Sequence, residues 1–121
     1  MTESLPTVDL QVQTATIDDS TYIVAARGEI DLYTAGDLWK VLEGLQAPHR
    51  RVVVDLSNVT FIDSTGLGVV VGATKLFRLN DGDVYVVTSP PAASSFDVAG
   101  LRTFLNVERS VVEALASAEA S

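Results

Sequence analysis

The sequence predicts an α/β domain with a mixed, mostly parallel β-sheet packed with about four helices. Short apolar runs typical of strands alternate along the chain with longer segments whose apolar residues recur at helical spacing, the pattern of strand–helix–strand units. Before this alternation, two strand-like runs flank a turn cluster, which is typical of an antiparallel hairpin. The 121 residues suit a single domain spanning residues 1–121, with a core over about residues 9–116.

The predicted hairpin opens the chain. Residues 9–16 alternate in character, with Leu10, Val12 and Thr14 on one side, as in a strand that keeps one face in water. The Asp-Asp-Ser cluster at residues 18–20 is the expected turn, and residues 22–26 form the second strand. Gly28 is expected to end that strand.

The first helix is predicted to begin at Thr34, which resembles a capping box together with Asp37, although an aspartate replaces the usual Glu or Gln. Four apolar residues then recur on one helical face: Leu38, Val41, Leu42 and Leu45. Trp39 borders this face, and we interpret it as a packing residue rather than a residue that stacks on a ligand.

A buried strand and a long helix occupy the centre of the chain. Residues 52–56 form a continuous apolar run, as expected for a central strand covered on both faces, and residues 59–63 form a further stretch after Ser57 and Asn58. Residues 65–79 are ambiguous, because three valines favour a strand and three glycines disfavour a helix. The length without proline favours a helix, so the glycines indicate close packing.

The last third of the sequence continues the alternation. Residues 84–87 form another buried strand, and Ser89, Pro90 and Pro91 open a short helix that Phe96 anchors and Gly100 follows. Residues 101–107 are predicted to hold a short edge strand.

A final helix is predicted from a capping box formed by Ser110 and Glu113. Its inward-facing residues are expected to be Val111, Val112 and Leu115.

Composition excludes several classes of function. Sixteen acidic residues against eight basic ones give a net charge of −8, which repels phosphate backbones and anionic headgroups, so we expect neither nucleic acid nor membrane as a partner. The longest apolar stretch, residues 67–73, is too short to span a bilayer, and the N-terminus does not resemble a signal peptide. Without cysteine there is no disulfide framework, and the cytoplasm is the expected location.

The stretch at residues 61–68, FIDSTGLG, leads from a strand-like run into a helix-like run. Ser64 or Thr65 is expected at the N-cap, where a hydroxyl oxygen accepts unpaired backbone N–H groups. If Ser64 is the cap, the N–H groups of Gly66 and Leu67 point at its oxygen, and a phosphate could sit there. The same residues also fit an ordinary capped helix start with no further role.

Four blocks in order resemble the STAS domain of bacterial anti-sigma factor antagonists. They are GEIDL at residues 28–32 with Thr34-Ala35, VVDLS at residues 53–57, FIDSTGLG at residues 61–68, and Phe96 with Gly100-Leu101. The resemblance spans nearly the whole chain. It implies a non-enzymatic adaptor that binds an anti-sigma factor, often itself a serine kinase, and thereby releases a sigma factor.

The resemblance also assigns residues. The phosphate acceptor of the family motif falls on Ser64, between Asp63 and Thr65. The strand end and helix start that carry Ser64 lie on one edge of the predicted sheet, and the connection at residues 29–34 is expected to reach the same edge from a neighbouring strand. One patch is therefore expected to contact the anti-sigma factor: Asp31, Asp63, Thr65 and Leu67, with small Gly66 allowing close backbone approach. The resemblance also implies a PP2C-type phosphatase as a further partner. No cofactor or metal is expected.

Other functions are less well supported by the residues. An enzyme with Ser64, Asp63 and His49 as nucleophile, orienter and base lacks a G-x-S-x-G elbow, and His49 lies in a basic turn. The glycines after the central strand miss the spacing of a dinucleotide fingerprint. Asp31, Asp55 and Asp63 lie near strand ends and fit caps and turns better than metal ligands. A STAS scaffold, or a transporter-associated STAS subunit that does not act on a sigma factor, remains the alternative.

Overall fold

The structure, a computed structural model, describes residues 9–120 and confirms the predicted α/β class. The elements in chain order are β1 (Gln11–Thr16), β2 (Thr21–Ile30), α1 (Ala35–Leu45), β3 (Arg51–Ile62), α2 (Ser64–Leu79), β4 (Asp83–Thr88), α3 (Pro90–Val98), a single 3-10 turn (Leu101–Thr103), β5 (Asn106–Glu108) and α4 (Val111–Ala120). The four helices and the early hairpin were all predicted from the sequence.

The five strands form one sheet in the spatial order β1-β2-β3-β4-β5. β1 pairs antiparallel with β2, as predicted, and the three remaining pairs are parallel. Helices α1, α2 and α3 cover one face of this sheet, where Leu42, Phe77 and Phe96 are buried in the main core. Helix α4 covers the other face, through Ala114 and Ala118.

β3 is the central strand and is buried on both faces, as predicted. Val52, Val54 and Leu56 belong to the core under α1 to α3, whereas Val53 belongs to the smaller cluster under α4. Trp39 of α1 packs against α2, because an added Cβ on Gly72 would lie 3.4 Å from its ring. The prediction that Trp39 is a packing residue is therefore confirmed.

Two strands are longer than predicted. β2 does not end at Gly28 but continues to Ile30, because Gly28 takes a positive φ of 116° where the register with β3 shifts. A Cβ at this position would lie 2.2 Å from the Asp9 carbonyl oxygen, so glycine lets the strand bulge and go on. β3 is continuous through Ser57 and Asn58, where the sequence suggested a connection.

Two burial predictions near the ends of the domain are wrong. Val112 is 77% exposed, and the small residues Ala114 and Ala118 face the sheet instead, because they allow α4 to approach it closely. In β1, Thr14 is exposed, whereas Leu10 and Val12 are half-buried against the main core as predicted.

β3 projects beyond β4 at the end of the sheet that carries Asp63 and Ser64. β4 pairs with β3 only as far as Leu56. Beyond Leu56, β3 pairs with β2 on one side, and on the other side none of the strands within residues 9–120 lies beside it. Helix α3 lies beside the extension, where the Ser89 hydroxyl donates a hydrogen bond of 2.6 Å to the Val59 carbonyl and accepts one from the Ala92 N–H. The open space beyond Ile62 is therefore flanked by α2 and α3.

Candidate functional site

The ends of β2 and β3 bring the predicted site residues to one edge of the sheet. Ile30 pairs with Ile62 at the last position of both strands, and the Asp63 N–H donates to the Ile30 carbonyl at 3.1 Å. Asp31 and Asp63 therefore leave neighbouring strands side by side. We call the surface formed by residues 31–34 and 63–67 the switch edge.

Helix α2 is capped by Asp63, not by Ser64 or Thr65 as predicted. One Asp63 carboxylate oxygen accepts from the Thr65 N–H at 2.9 Å and from the Gly66 N–H at 3.1 Å. The reason is that pairing with β2 holds the Asp63 backbone extended, which is the conformation that an N-cap residue requires. Ser64 is consequently the first residue of the helix.

Ser64 is exposed, and its hydroxyl borders a groove between α2 and α3. The groove has a volume of about 350 Å³ and is lined by apolar and hydroxyl groups: Ile62, Leu67, Ser94, Ser95, Val98 and Ala99, together with Asp63 and Ser64. Ser64 therefore lies at the surface of the folded domain, where another protein can contact it.

Gly66 and Leu67 hold α2 against the strand ends. Gly66 is buried, and an added Cβ would lie 2.6 Å from the Ile30 Cγ2 and 2.7 Å from the Ile62 Cγ1. The sequence predicted that this glycine lets a partner approach, whereas the packing of α2 on the sheet already requires it. Leu67 is half-buried against the main core and also lines the groove.

The other half of the switch edge is the turn at residues 31–34. One Asp31 carboxylate oxygen accepts from the Tyr33 N–H at 2.9 Å and from the Thr34 N–H at 3.1 Å. The Thr34 hydroxyl accepts from the Asp31 N–H at 2.9 Å and donates to the Glu29 carbonyl at 2.8 Å. The predicted capping box is therefore wrong: Thr34 precedes α1 as its N-cap, but its hydroxyl bonds backwards and makes no cap hydrogen bond.

Three exposed apolar residues near this edge were not singled out from the sequence. Leu32 is 68% exposed, Tyr33 is 89% exposed, and Val98 at the end of α3 is 90% exposed. The available signal was an apolar pair inside a turn between Asp31 and Thr34. Periodicity does not assign Leu32 and Tyr33, because they belong to neither a strand nor a helix.

His49 lies far from Ser64 and Asp63, the other two residues of the enzyme hypothesis. His49 lies in the connection before β3, with a φ of 65° and its N–H bonded to the Asn80 carbonyl, whereas Ser64 follows the other end of that strand. A strand of 12 residues separates them by roughly 40 Å. Within residues 9–120, no three His, Asp or Glu side chains are grouped to hold a metal ion, and no helix is long and apolar enough to cross a membrane.

A helix-covered sheet in this strand order, with a serine exposed where the central strand meets a helix, defines a STAS-type α/β domain. The STAS domain model matches residues 12–114. The chain therefore belongs to the STAS domain family, as its sequence motifs predicted.

Several similar proteins are named anti-sigma factor antagonists. The chain is 38% identical over 102 residues to the anti-sigma-B factor antagonist of Staphylococcus epidermidis, a match that covers 83% of this chain and 94% of that protein. An anti-sigma factor antagonist from Mycobacterium paratuberculosis superimposes with a TM-score of 0.83 at 24% identity, over 97% of this chain and 99% of that one.

The antagonist SpoIIAA shares the fold in two chemical states. Its unphosphorylated form superimposes with a TM-score of 0.74 at 16% identity, over 92% of this chain and 98% of that one. The phosphorylated form of the Bacillus protein superimposes with a TM-score of 0.65 at 18% identity, over 88% of this chain and 98% of that one. At these identities the two SpoIIAA structures show a shared fold, whereas the 38%-identical staphylococcal protein supports the antagonist role inferred from the motifs.

Proposed function

We propose that this protein is an anti-sigma factor antagonist that binds an anti-sigma factor through the switch edge and so releases a sigma factor for transcription. The observation that carries the proposal is the exposed hydroxyl of Ser64 at the start of α2, within the motif of a family whose relatives bear this name. A partner that controls transcription places this function in the cytoplasm.

Ser64 is the proposed phosphate acceptor, and the anti-sigma factor is the proposed serine kinase. A phosphoserine carries about −1.5 to −2 charges and would stand beside the Asp63 carboxylate. The helix offers it little compensation, because the Gly66 N–H is bonded to the Asp63 carboxylate and the Leu67 N–H to the Asp63 carbonyl. In the free domain the phosphate extends into water, which screens this repulsion.

In the complex, water cannot screen the phosphate charge in this way. A partner packed on the switch edge must desolvate the phosphate or withdraw from it. An unpaired charge at an interface costs about 2–4 kcal/mol, or roughly 30- to 1000-fold in affinity. Phosphorylation therefore switches binding off by local charge, without refolding the domain. A PP2C-type phosphatase would restore binding by removing the phosphate.

The proposed surface for the anti-sigma factor comprises Asp31, Asp63, Thr65 and Leu67, with Gly66 allowing the helix start to lie flat on the strand ends. Asp31 contributes to this surface by holding the turn at residues 31–34. Asp63 and Thr65 flank Ser64 in the sequence and Leu67 lines the same groove, so one bound protein can both phosphorylate Ser64 and sense its phosphate.

The test uses the purified anti-sigma factor kinase with ATP, mass spectrometry for the site and calorimetry for the affinity. We expect phosphate on Ser64, constitutive binding by Ser64→Ala, weaker binding by Ser64→Asp and continued phosphorylation of Thr65→Ala. Phosphate on Thr65, or a phosphorylated protein that binds as tightly as before, would contradict the mechanism.

A second experiment separates the adaptor role from its alternatives. We expect no ATP or ester hydrolysis by the protein itself; turnover that is lost in Ser64→Ala would establish an enzyme instead. Affinity capture with Ser64→Ala as bait should recover an anti-sigma factor. Recovery of a transporter ATPase would favour the transporter-associated STAS alternative, and recovery of further STAS proteins would favour a scaffold.

A further inference from the structure

We propose that the turn at residues 31–34 is a preformed apolar projection, whose Leu32 and Tyr33 side chains insert into an apolar pocket with a basic rim on the anti-sigma factor. In this proposal Asp31 and Thr34 are positioning residues that hold the projection in shape. The inference rests on the proposed function, since it names the chemistry of the surface that the same partner presents.

The turn is held by more hydrogen bonds than its length requires. Several involve side chains: Tyr33 and Thr34 donate their N–H groups to Asp31, and the Thr34 hydroxyl joins the Asp31 N–H to the Glu29 carbonyl and also lies 3.2 Å from the Asp31 carboxylate. The Asp31 carbonyl also accepts from the Ala35 N–H at 2.9 Å. Thr34 is buried, so this network is shielded from water on its inner side. The backbone that carries Leu32 and Tyr33 is therefore fixed before any partner binds.

The two side chains on this fixed backbone project into water. Tyr33 is 89% exposed and Leu32 is 68% exposed, whereas the apolar residues on either side of the turn, Ile30 and Ala35, are fully or almost fully buried. An aromatic residue on an ordered turn loses little conformational freedom on binding, and tyrosine is among the residues enriched at energetically dominant interface positions.

The projection adjoins the proposed phosphorylation site. The Asp63 N–H is bonded to the Ile30 carbonyl, so the residue before the projection and the residue before Ser64 are joined directly. A protein seated over Ser64 therefore meets the projection as part of one continuous surface.

The charge around the projection selects the kind of pocket. Glu29, Asp31 and Asp63 lie on the two strand ends beside it, on a chain of net charge −8. Lysine or arginine at the rim of the receiving pocket would complement the Glu29 carboxylate and the net negative charge of the chain, and would speed association. An anionic membrane would be repelled by the same charges, which leaves a protein pocket as the occupant.

The first test measures binding of the purified anti-sigma factor by calorimetry. Tyr33→Ala is expected to lose about 10- to 100-fold in affinity and Leu32→Ala somewhat less, in keeping with buried apolar anchors. The matched control is Leu79→Ala, which removes a leucine that is 82% exposed at the far end of α2 and should bind like wild type.

The outcomes separate this proposal from the proposed function. If wild type and Leu79→Ala bind the anti-sigma factor and Tyr33→Ala binds within twofold of them, the projection is not an anchor. If wild type does not bind any anti-sigma factor, the proposed function fails, and this inference is overturned with it.

The second test separates positioning from direct contact at Asp31. Asparagine keeps the carbonyl oxygen that can accept the Tyr33 and Thr34 N–H groups, so Asp31→Asn should bind within about threefold of wild type, whereas Asp31→Ala should lose about tenfold. Because Asp31 acts through Tyr33, Asp31→Ala should cost little further in a Tyr33→Ala background. Equal losses for Asp31→Asn and Asp31→Ala would instead establish a contact that needs the charge.

A third readout needs no partner. Hydrogen exchange at the Tyr33 and Thr34 amides should be slowed in the free protein, retained in Asp31→Asn and lost in Asp31→Ala. Unprotected amides in the wild-type protein would overturn the claim that the projection is preformed.

Discussion

Two strand-to-helix connections form the switch edge, and each uses an aspartate in a different way. After β3, Asp63 caps α2 directly, and the helix begins at the next residue. After β2, Asp31 bonds the N–H groups of its own turn, and α1 begins four residues later with no side-chain cap. The short connection presents a hydroxyl, whereas the long one presents two apolar side chains. The same residue type thus supports a modification site in one place and an apolar surface in the other.

The largest expected difference in the free energy of unfolding is between alanine substitutions of the glycines at the two helix starts. Gly66→Ala forces a methyl group against Ile30 and Ile62 and should destabilise the domain by about 1–3 kcal/mol. Gly36→Ala in the first turn of α1 meets nothing within 4 Å and should stabilise it by about 0.4–1 kcal/mol. Urea unfolding of both variants measures the difference, and equal effects would show that α2 is not packed as tightly as described.

The second effect concerns the hydroxyl that ties the longer connection together. Thr34→Val keeps the shape of the side chain but leaves the Glu29 carbonyl and the Asp31 N–H without their partner, at a cost of about 1–2 kcal/mol. Thr34→Ser retains the hydroxyl and is the control. Thermal unfolding should show Thr34→Val to be less stable than Thr34→Ser. If Thr34→Val is as stable as Thr34→Ser, water replaces these hydrogen bonds.

The cap of the shorter connection should come next. Asp63→Ala removes the acceptor for the Thr65 and Gly66 N–H groups, which typically costs about 1 kcal/mol for an N-cap. Asp63→Asn keeps an acceptor oxygen, so its free energy of unfolding should fall by only a few tenths of the loss in Asp63→Ala. The free energy of unfolding from urea titration tests both variants. A loss in Asp63→Asn as large as in Asp63→Ala would show that the negative charge, not the acceptor, is what stabilises α2.

The smallest effect is expected at Ser64 itself. Ser64 is exposed and Asp63 already caps the helix, so Ser64→Ala should change the free energy of unfolding by less than about 0.5 kcal/mol. A stability loss as large as that of Asp63→Ala would mean that the Ser64 hydroxyl shares the capping role after all, and that binding data for this variant need correction for folding.

The sequence was sufficient to predict the order of the elements and much of their packing. The alternation of strand and helix, the buried central strand, the Ser89 cap and the buried Phe96 follow from local pattern, because each depends on spacing within a few residues. The meeting of Asp31 and Asp63 at one edge followed from the expected parallel pairing.

The cap of α2 could not be chosen from the sequence. Asp63, Ser64 and Thr65 are all favourable N-cap residues, and the choice among them is made by where the pairing of β3 with β2 ends. The bulge at Gly28 and the inward position of Ala114 are similarly decided by distant parts of the chain, the residues around Asp9 and the face of β3 and β4. Exposure of Tyr33 also depends on tertiary structure, since an apolar residue in a turn can fold inward or outward.

The strand order has a consequence for how the chain is made. Each strand lies beside the strand that precedes it in the sequence, so on the ribosome the β1–β2 hairpin can form first and each later unit can join an edge that already exists. Such nearest-neighbour pairing shortens the loops that must close and favours rapid folding. Among the helices of residues 9–120, α4 alone packs against Val53, Tyr85 and Val87, and it follows all five strands in the sequence. Until α4 has left the ribosome, this face of the sheet is therefore open to aggregation or to a chaperone.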